Sequence, residues 1–158
     1  MRVGFGFDAH PLAEGRPFIV GGVRVDHDRG PSGHSDADVL AHAIADALLG
    51  AAALGDLGER FPASDERWKN ADSMDLLARC AADVRAAGYV VGNIDATVVV
   101  DAPKLATHVP KMRQRIAAAL ELTTDRVSVK AKRTEGLGYT GDGTGIAAMA
   151  VATVERAT

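Results

Sequence analysis

Asp8 and His10 are the first residues in the sequence whose side chains could share a metal ion. They lie two positions apart at the end of a β-rich segment, so in an extended chain both side chains point to the same face. A carboxylate and an imidazole are common ligands of zinc. An Asp-x-His pair also occurs as a simple hydrogen-bonded or surface pair, and these two residues alone leave both interpretations open.

His42 offers a second imidazole from a different part of the chain. It lies in a segment whose apolar residues recur at helical spacing, on the same face as Asp38 and Asp46. This polar stripe is either a solvated helix face or one side of a site. If the end of the first strand faces the helix, Asp8, His10 and His42 supply the three protein ligands of a catalytic zinc with one open position.

Four further segments have features that suit a phosphorylated ligand. His34 and Ser35 precede the long predicted helix, where free backbone amides favour an anion. Residues 135–145 contain five glycines in eleven positions, which either lets the backbone approach a phosphate or leaves a flexible loop. The adjoining segment 130–135 places cations and a carboxylate where an anion and a second metal could bind, and the turn at 102–105 could hold a base or sugar.

Hydrophobic periodicity predicts the elements that position these residues. Strands are predicted over residues 2–7, 18–25, 89–100, 126–131 and 146–154, and helices from Asp36 onward, over 73–87 and over 105–122. We expect the first two strands to form a hairpin, residues 26–35 to be a surface loop, and Ser35 to cap the first helix in a box with Asp38. The order predicts one α+β domain over residues 1–158, mainly β sheet with helices packed on one face.

Composition excludes several classes of protein. The chain has 47% apolar and 25% charged residues, as globular domains do, and its 18 Lys and Arg against 21 Asp and Glu offer no basic stripe for nucleic acid. The single cysteine, Cys80, lies in an apolar pattern and is predicted to be a buried hydrophobe. No signal peptide or membrane span is predicted, so we expect a cytoplasmic protein. His27 and His108 have no companions of ligand type and are predicted to be surface residues.

Five segments together resemble the 2-C-methyl-D-erythritol 2,4-cyclodiphosphate synthase family of the non-mevalonate isoprenoid pathway. The resemblance spans the chain, and its segments occur in the order of the family. They are Gly-Phe-Asp-Ala-His-Pro-Leu (6–12), Gly-His-Ser-Asp-Ala-Asp-Val-Leu-Ala-His (33–42), Gly-Asp-Leu-Gly-Glu-Arg-Phe-Pro (55–62), Ala-Pro-Lys (102–104) and Thr-Glu-Gly-Leu-Gly-Tyr-Thr-Gly (134–141).

The resemblance implies a homotrimeric lyase with active sites between subunits. Its substrate would be 4-diphosphocytidyl-2-C-methyl-D-erythritol 2-phosphate, whose own 2-phosphate attacks the β-phosphorus and releases CMP. Zinc would be held by Asp8, His10 and His42, and magnesium or manganese on the diphosphate by Glu135. No protein nucleophile is then required, which agrees with an inert Cys80.

The same resemblance assigns substrate contacts, with His34 and Arg133 as the residues closest to the chemistry. Its implied binding residues are Asp8, Ala9, His10, His34, Ser35, Asp56, Leu57, Gly58, Phe61, Pro62, Ala63, Ser64, Asp65, Val100, Asp101, Ala102, Pro103, Lys104, Leu105, Ala106, Lys132, Arg133, Thr134, Glu135, Tyr139 and Asp142. The segment 56–58 would meet the methylerythritol part, and 100–106 the cytidine.

The sequence departs from the family pattern at four of these positions. Ala63 stands where an Asp is frequent, and Lys132 and Arg133 replace two threonines, so that Arg133 acts either by its charge or, as we expect first, through its backbone. Asp142 stands where an Arg is associated with isoprenoid phosphates inside the trimer. An anion there should repel such ligands, and we expect weak or absent isoprenoid diphosphate binding.

Two other functions remain compatible with these residues. A non-catalytic trimeric metal-binding or isoprenoid-binding relative would retain the fold, although such a protein should have lost at least one ligand. A metal-dependent phosphohydrolase would replace the 2-phosphate by water, for which only Asp38 or Asp46 is available as a general base.

Overall fold

The computed structural model describes residues 1–158 as a mixed sheet with helices. The strands are β1 (Arg2–Glu14), β2 (Phe18–Val20), β3 (Val23–Val25), β4 (Arg29–Pro31), β5 (Tyr89–Val99), β6 (Val127–Lys132) and β7 (Gly145–Arg156). The α-helices are α1 (Val39–Ala52), α2 (Leu57–Arg60), α3 (Ser73–Ala86), α4 (Val109–Leu120) and α5 (Gly138–Gly141). Short 3₁₀ turns cover Glu66–Trp68, Ala106–His108 and Thr124–Arg126.

Five strands form one sheet in the order β4-β1-β7-β5-β6. Only the β5–β6 pair is parallel, and β7 lies antiparallel between β1 and β5. The predicted α+β class, the three long helices and the strands β5, β6 and β7 are therefore confirmed, each within a few residues of its expected ends. Pro110 lies in the first turn of α4, where its missing amide hydrogen costs no helical hydrogen bond.

The predicted hairpin between residues 2–7 and 18–25 is wrong. Strand β1 pairs instead with β7, with Arg2 opposite Val154, and residues 18–25 fold back on themselves as the separate β2–β3 pair. Gly21 and Gly22 both have positive φ, 57° and 70°, which is the backbone that a two-residue hairpin turn requires. The expected loop 26–35 also contains β4, which extends the sheet beside the end of β1.

Helix α1 begins at Val39, and its cap is Asp38 rather than Ser35. The Asp38 carboxylate accepts from the amides of Gly21, Gly22 and Ala41 at 2.8, 2.7 and 3.1 Å, and the side chain is fully buried. Burial raises the pKa of Asp38, although these three amide hydrogen bonds oppose the rise. The interpretation of Asp38 as part of a solvated helix face is therefore wrong, because this carboxylate ties the β2–β3 turn to the start of α1.

The sheet packs one face on α1 and leaves the other open. Gly4 and Gly6 of β1 face the backbone of α1, and one core cluster of 38 buried residues joins sheet and helices. On the other face of β1, Val3, Phe5 and Phe7 are 62%, 64% and 51% exposed. None of the helices combines the length and apolar character that crossing a bilayer requires.

Candidate metal centre and ligand pockets

Asp8 and His10 project from β1 toward one point. The Nε2 atom of His10 lies 2.8 Å from Oδ2 of Asp8, as expected for side chains two residues apart on a strand. Ala9 between them is exposed, since the alternation of the strand turns it to the opposite face. Asp8 and His10 are paired with Ala148 and Ile146 of β7, which fixes this part of β1 in the sheet.

His42 approaches the same point from the first turns of α1. Its Nδ1 lies 3.0 Å from Oδ2 of Asp8 and 3.3 Å from Nε2 of His10. One ligand atom from each of the three residues lies within 4.8 Å of the others. The predicted convergence of Asp8, His10 and His42 is confirmed, and the cluster has the donor set of a three-residue zinc site.

The cluster is electrostatically coupled. Burial raises the pKa of Asp8, but hydrogen bonds and charges of His10 and His42 outweigh it and lower the pKa to about 2. Burial disfavours a charged His42, yet its hydrogen bond to Asp8 and the charges of Asp8, Asp38 and Asp36 raise its pKa. A metal ion that binds here must displace any proton on the ring nitrogen that ligates it.

A cavity of about 290 Å³ opens beside the cluster. Besides the three ligand residues it is lined by His34, Ser35, Asp46, Leu57, Gly58, Phe61, Ala63, Trp68 and Leu76. The rings of Phe61 and Trp68 meet edge to face, 4.9 Å between centroids, and form an apolar wall. Trp68 and Leu76 were not predicted as site residues, because Trp68 is a single aromatic in a polar segment and Leu76 belongs to the apolar pattern of α3.

Hydrogen bonds anchor the segments that precede the two aromatic residues of this wall. Asp46, which burial keeps at a raised pKa, accepts from the Leu57 amide at 2.8 Å, and Asp56 caps α2 by accepting from Glu59. His34 lies 3.0 Å from the carbonyl of Asp65. Pro62, Ala63 and Ser64 are exposed in the turn between α2 and the next 3₁₀ turn.

The two carboxylates considered as general bases have structural partners. Asp38 is fully buried and surrounded by amide donors, so it cannot reach water in the cavity. Asp46 lines the cavity but is engaged by Leu57. These contacts give no support to the phosphohydrolase alternative.

A second cavity, of about 150 Å³, lies where β5 and β6 end. It is lined by Val100, Lys104, Leu105, Ala106, Ala131, Lys132 and Arg133. The structure thus brings together the 102–105 turn and the 132–133 cations, which sequence reasoning had kept as separate observations. An apolar floor with three cationic side chains suits a planar base that carries phosphates.

The glycine-rich segment is ordered by Asp101. Its carboxylate accepts from the amides of Thr134, Glu135 and Gly136 at 2.7, 3.1 and 2.8 Å, so these amides are not free for a phosphate. Gly138 begins the short helix α5. The start of the predicted segment 135–145 is therefore neither a free phosphate cradle nor an unstructured loop, and phosphate binding by the rest of the segment stays a prediction.

Other predicted site residues lie outside the metal cluster. Glu135 is exposed with φ of 52°, Tyr139 is 47% exposed and packs over Gly145, and the Asp142 carboxylate accepts from Thr144. The cluster of ligand atoms does not include Glu135.

Three residues that were set aside as non-functional also lie away from the cluster. His27 and His108, predicted to be surface residues, are both half-buried: His27 packs on Phe18 and lies 3.5 Å from Asp28, and His108 lies in a 3₁₀ turn. Cys80 is fully buried, and burial raises the pKa of its thiol to about 12, so it is inert as predicted.

The fold and the cluster together describe an α+β protein with a candidate metal site beside two ligand cavities. The chain belongs to the YgbB family, whose model matches residues 1–155. It is 59% identical, over 157 residues, to the 2-C-methyl-D-erythritol 2,4-cyclodiphosphate synthase of Salinibacter ruber, covering 99% of this chain and 100% of the relative.

Solved structures share this fold over nearly the whole chain. A bifunctional IspDF from Campylobacter jejuni superimposes with a TM-score of 0.94 at 42% identity, over 98% of this chain and 42% of that longer one. A 2C-methyl-D-erythritol-2,4-cyclodiphosphate synthase in its CDP-bound form gives a TM-score of 0.89 at 34% identity, over 98% of this chain and 100% of the other. These similarities confirm the resemblance deduced from the five sequence segments.

Proposed function

We propose that the protein converts 4-diphosphocytidyl-2-C-methyl-D-erythritol 2-phosphate to 2-C-methyl-D-erythritol 2,4-cyclodiphosphate and CMP. An oxygen of the 2-phosphate forms a bond to the β-phosphorus, the bond from that phosphorus to the CMP oxygen breaks, and CMP leaves. The observation that carries this proposal is the convergence of Asp8, His10 and His42 beside a cavity, in a chain 59% identical to a synthase of that name. The reaction is a phosphorus-oxygen lyase reaction.

Asp8, His10 and His42 would hold zinc, and Glu135 would contribute to a magnesium or manganese site on the diphosphate. These ions supply positive charge that lets two mutually repelling phosphates approach each other. The donor set fits zinc, since two imidazoles and one carboxylate leave an open position for a phosphate oxygen. An acidic chain can in this way serve an anionic substrate.

The protein residues bind and align the substrate, because the attacking group belongs to the substrate itself. His34 and Ser35 line the first cavity beside the cluster and would contact the phosphates. The segment 56–58 would contact the methylerythritol part, and the Phe61–Trp68 wall would exclude water from it. Holding both reacting groups in one geometry supplies most of the rate acceleration in such a reaction.

The second cavity would take the cytidine, with the turn 102–105 around the base. Its lining by Lys104, Lys132 and Arg133 supports this assignment, since the leaving nucleotide carries phosphate charge. A related synthase has been solved in a CDP-bound form. Arg133 would act in this site chiefly through its backbone, and its side chain would add charge.

We further propose a homotrimer with active sites between subunits, located in the cytoplasm. The open sheet face supports assembly, since Val3, Phe5, Phe7 and Val151 expose apolar side chains side by side on paired strands. The buried, reduced Cys80 suits a reducing compartment. Sedimentation velocity would test the assembly, and a monomer at micromolar concentration would contradict it.

Incubation of the purified protein with the diphosphocytidyl substrate, zinc and magnesium tests the proposed activity. Phosphorus NMR should show the cyclic diphosphate and CMP appearing together, and neither should appear after chelation of the metals. Inorganic phosphate release without a cyclic product would instead indicate a phosphohydrolase. Binding of CDP without any turnover would indicate the non-catalytic alternative, against which the intact Asp8, His10, His42, His34 and Glu135 argue.

A further inference from the structure

His42 has hydrogen-bond partners on the side of its ring that faces away from the metal cluster. Its Nε2 atom lies 2.9 Å from the hydroxyl oxygen of Ser73 and 3.2 Å from that of Ser35. Ser73 is 1% exposed and is the first residue of α3. A buried hydroxyl in this position decides which ring nitrogen of His42 carries the hydrogen.

The single hydroxyl hydrogen of Ser73 is already committed. Ser73 Oγ makes a short hydrogen bond to Oδ1 of Asp36, a carboxylate that can only accept. The same carboxylate accepts from the backbone amides of Ser73, at 3.0 Å, and of Asp38, at 3.1 Å, so its orientation is fixed. The Ser73 oxygen must therefore accept a hydrogen from Nε2 of His42, which leaves Nδ1, the nitrogen that faces Asp8, as the one that can give its lone pair to a metal ion.

We propose that Ser73 and Asp36 are positioning residues that fix the tautomer and ring orientation of His42 for metal binding. The inference rests on the proposed metal centre but concerns residues that touch neither metal nor substrate. A carboxylate that orients a histidine ligand is a frequent arrangement in zinc sites, and here a serine hydroxyl is inserted between the two. The hydrogen bonds that join Asp36 to Ser73 and Ser73 to His42 also link the loop before α1 to the start of α3.

The main test compares zinc affinity in Ser73→Ala, Ser73→Thr and Asp72→Ala. Ser73→Ala keeps the backbone amide that Asp36 accepts from and removes only the hydroxyl. Asp72→Ala is the matched control, because Asp72 caps the same helix through the Met74 amide and does not contact His42. Competition with a chromogenic chelator gives the zinc dissociation constant of each variant, and thermal unfolding of the metal-free proteins reports the structural cost.

We expect Ser73→Ala to weaken zinc binding by about 10-fold to 100-fold, with substantial recovery in Ser73→Thr. Asp72→Ala should lower the unfolding temperature and change zinc affinity by less than about 3-fold, as no ligand loses its partner. Nitrogen NMR of the zinc-loaded wild-type protein should show the His42 hydrogen on Nε2, a readout that does not depend on any variant folding.

Two results would overturn this inference alone: zinc affinity in Ser73→Ala equal to wild type, or a His42 hydrogen on Nδ1. A wild-type protein that binds no zinc at all would overturn both the inference and the metal centre of the proposed function. The wild-type titration therefore separates the two failures.

Discussion

A Cβ atom placed on Gly6 would lie 1.9 Å from the carbonyl oxygen of Ala43. Gly4 has the same relationship to Ala47 one turn further along α1, again at 1.9 Å. Strand β1 and helix α1 are thus in direct backbone contact, and only glycine fits between them. This contact sets the distance between the two elements that carry Asp8 and His42.

Gly6→Ala should destabilise the protein by about 2 kcal/mol or more, because the new methyl group must push α1 away from β1. The displacement should also weaken zinc binding, since His42 adjoins Ala43. Urea unfolding of the metal-free protein and a zinc titration measure the two effects. Gly50→Ala is the control: nothing lies within 4 Å of a Cβ there, and a helical alanine should stabilise by about 0.5–1 kcal/mol.

His42→Ala should abolish formation of the cyclic product and reduce zinc affinity by at least about 100-fold, since a three-ligand site loses one donor. Most of the fold should persist, because α1 is anchored by many other buried residues. Circular dichroism, zinc titration and phosphorus NMR report the three properties. His27→Ala removes a half-buried histidine that lies away from the cluster and should leave zinc affinity and turnover unchanged, whereas unimpaired turnover by His42→Ala would argue against the centre.

Acid should destabilise the metal-free protein through Asp8. The pKa of Asp8 in the folded protein is about 2, below the ordinary value of 3.8. Ionised Asp8 therefore contributes fully to the free energy of unfolding above pH 3.8, and this contribution is lost as the pH falls from about 4 through 2. The shift corresponds to about 2 kcal/mol. Urea midpoints at pH 5 and pH 2.5 should therefore differ less in Asp8→Asn than in wild type. Equal pH dependence in the two proteins would show that Asp8 is not paired.

Asp101→Ala should weaken CDP binding by roughly tenfold, because three backbone amides lose a charged acceptor and the loop beside the second cavity loosens. Zinc affinity should be unchanged, since the metal cluster is built from other elements. Isothermal calorimetry with CDP and with zinc separates these effects. Asp125→Ala is the control, because it removes a carboxylate from an exposed 3₁₀ turn. An equal loss of CDP affinity in Asp125→Ala would show that the effect of Asp101→Ala is not specific to its loop.

Isoprenoid diphosphates should bind weakly or not at all. A hydrogen bond from the Thr144 hydroxyl, at 2.6 Å, and another from its amide lower the pKa of Asp142, which favours a negative charge at the position where the resemblance implies an Arg. Calorimetry with farnesyl diphosphate measures this directly, and nanomolar affinity would refute the expectation. Asp142→Arg reverses the charge and should improve binding.

The parts of the structure that were predictable are those that follow from local periodicity. The two-residue spacing of Asp8 and His10 placed both side chains on one face of a strand, and the apolar periodicity around His42 placed it on a helix. The convergence of the three side chains then required only that this strand and this helix lie side by side. Partner choice was not predictable, since β1 pairs with a strand more than a hundred residues away, where no local pattern reports the pairing.

The missed residues share a physical reason. Ser73 and Asp36 are 37 residues apart, and each looks like an ordinary cap or turn residue in its own segment. Asp38 likewise resembled a solvated residue until the β2–β3 turn supplied its amides. Polar side chains that act through tertiary hydrogen bonds have no periodicity by which a sequence could distinguish them.

The glycines of β1 pack on α1, and its phenylalanines lie on the open face of the sheet. Asp8 and His10 of the same strand contribute two ligand atoms to the cluster. These three groups of residues therefore share one strand of backbone, which offers a physical route by which occupation of one face could affect another. If subunit association on the open face alters metal affinity, then metal loading must alter subunit affinity by the same factor. Raising either the metal concentration or the protein concentration would then increase the fraction of protein that is both assembled and metal-loaded.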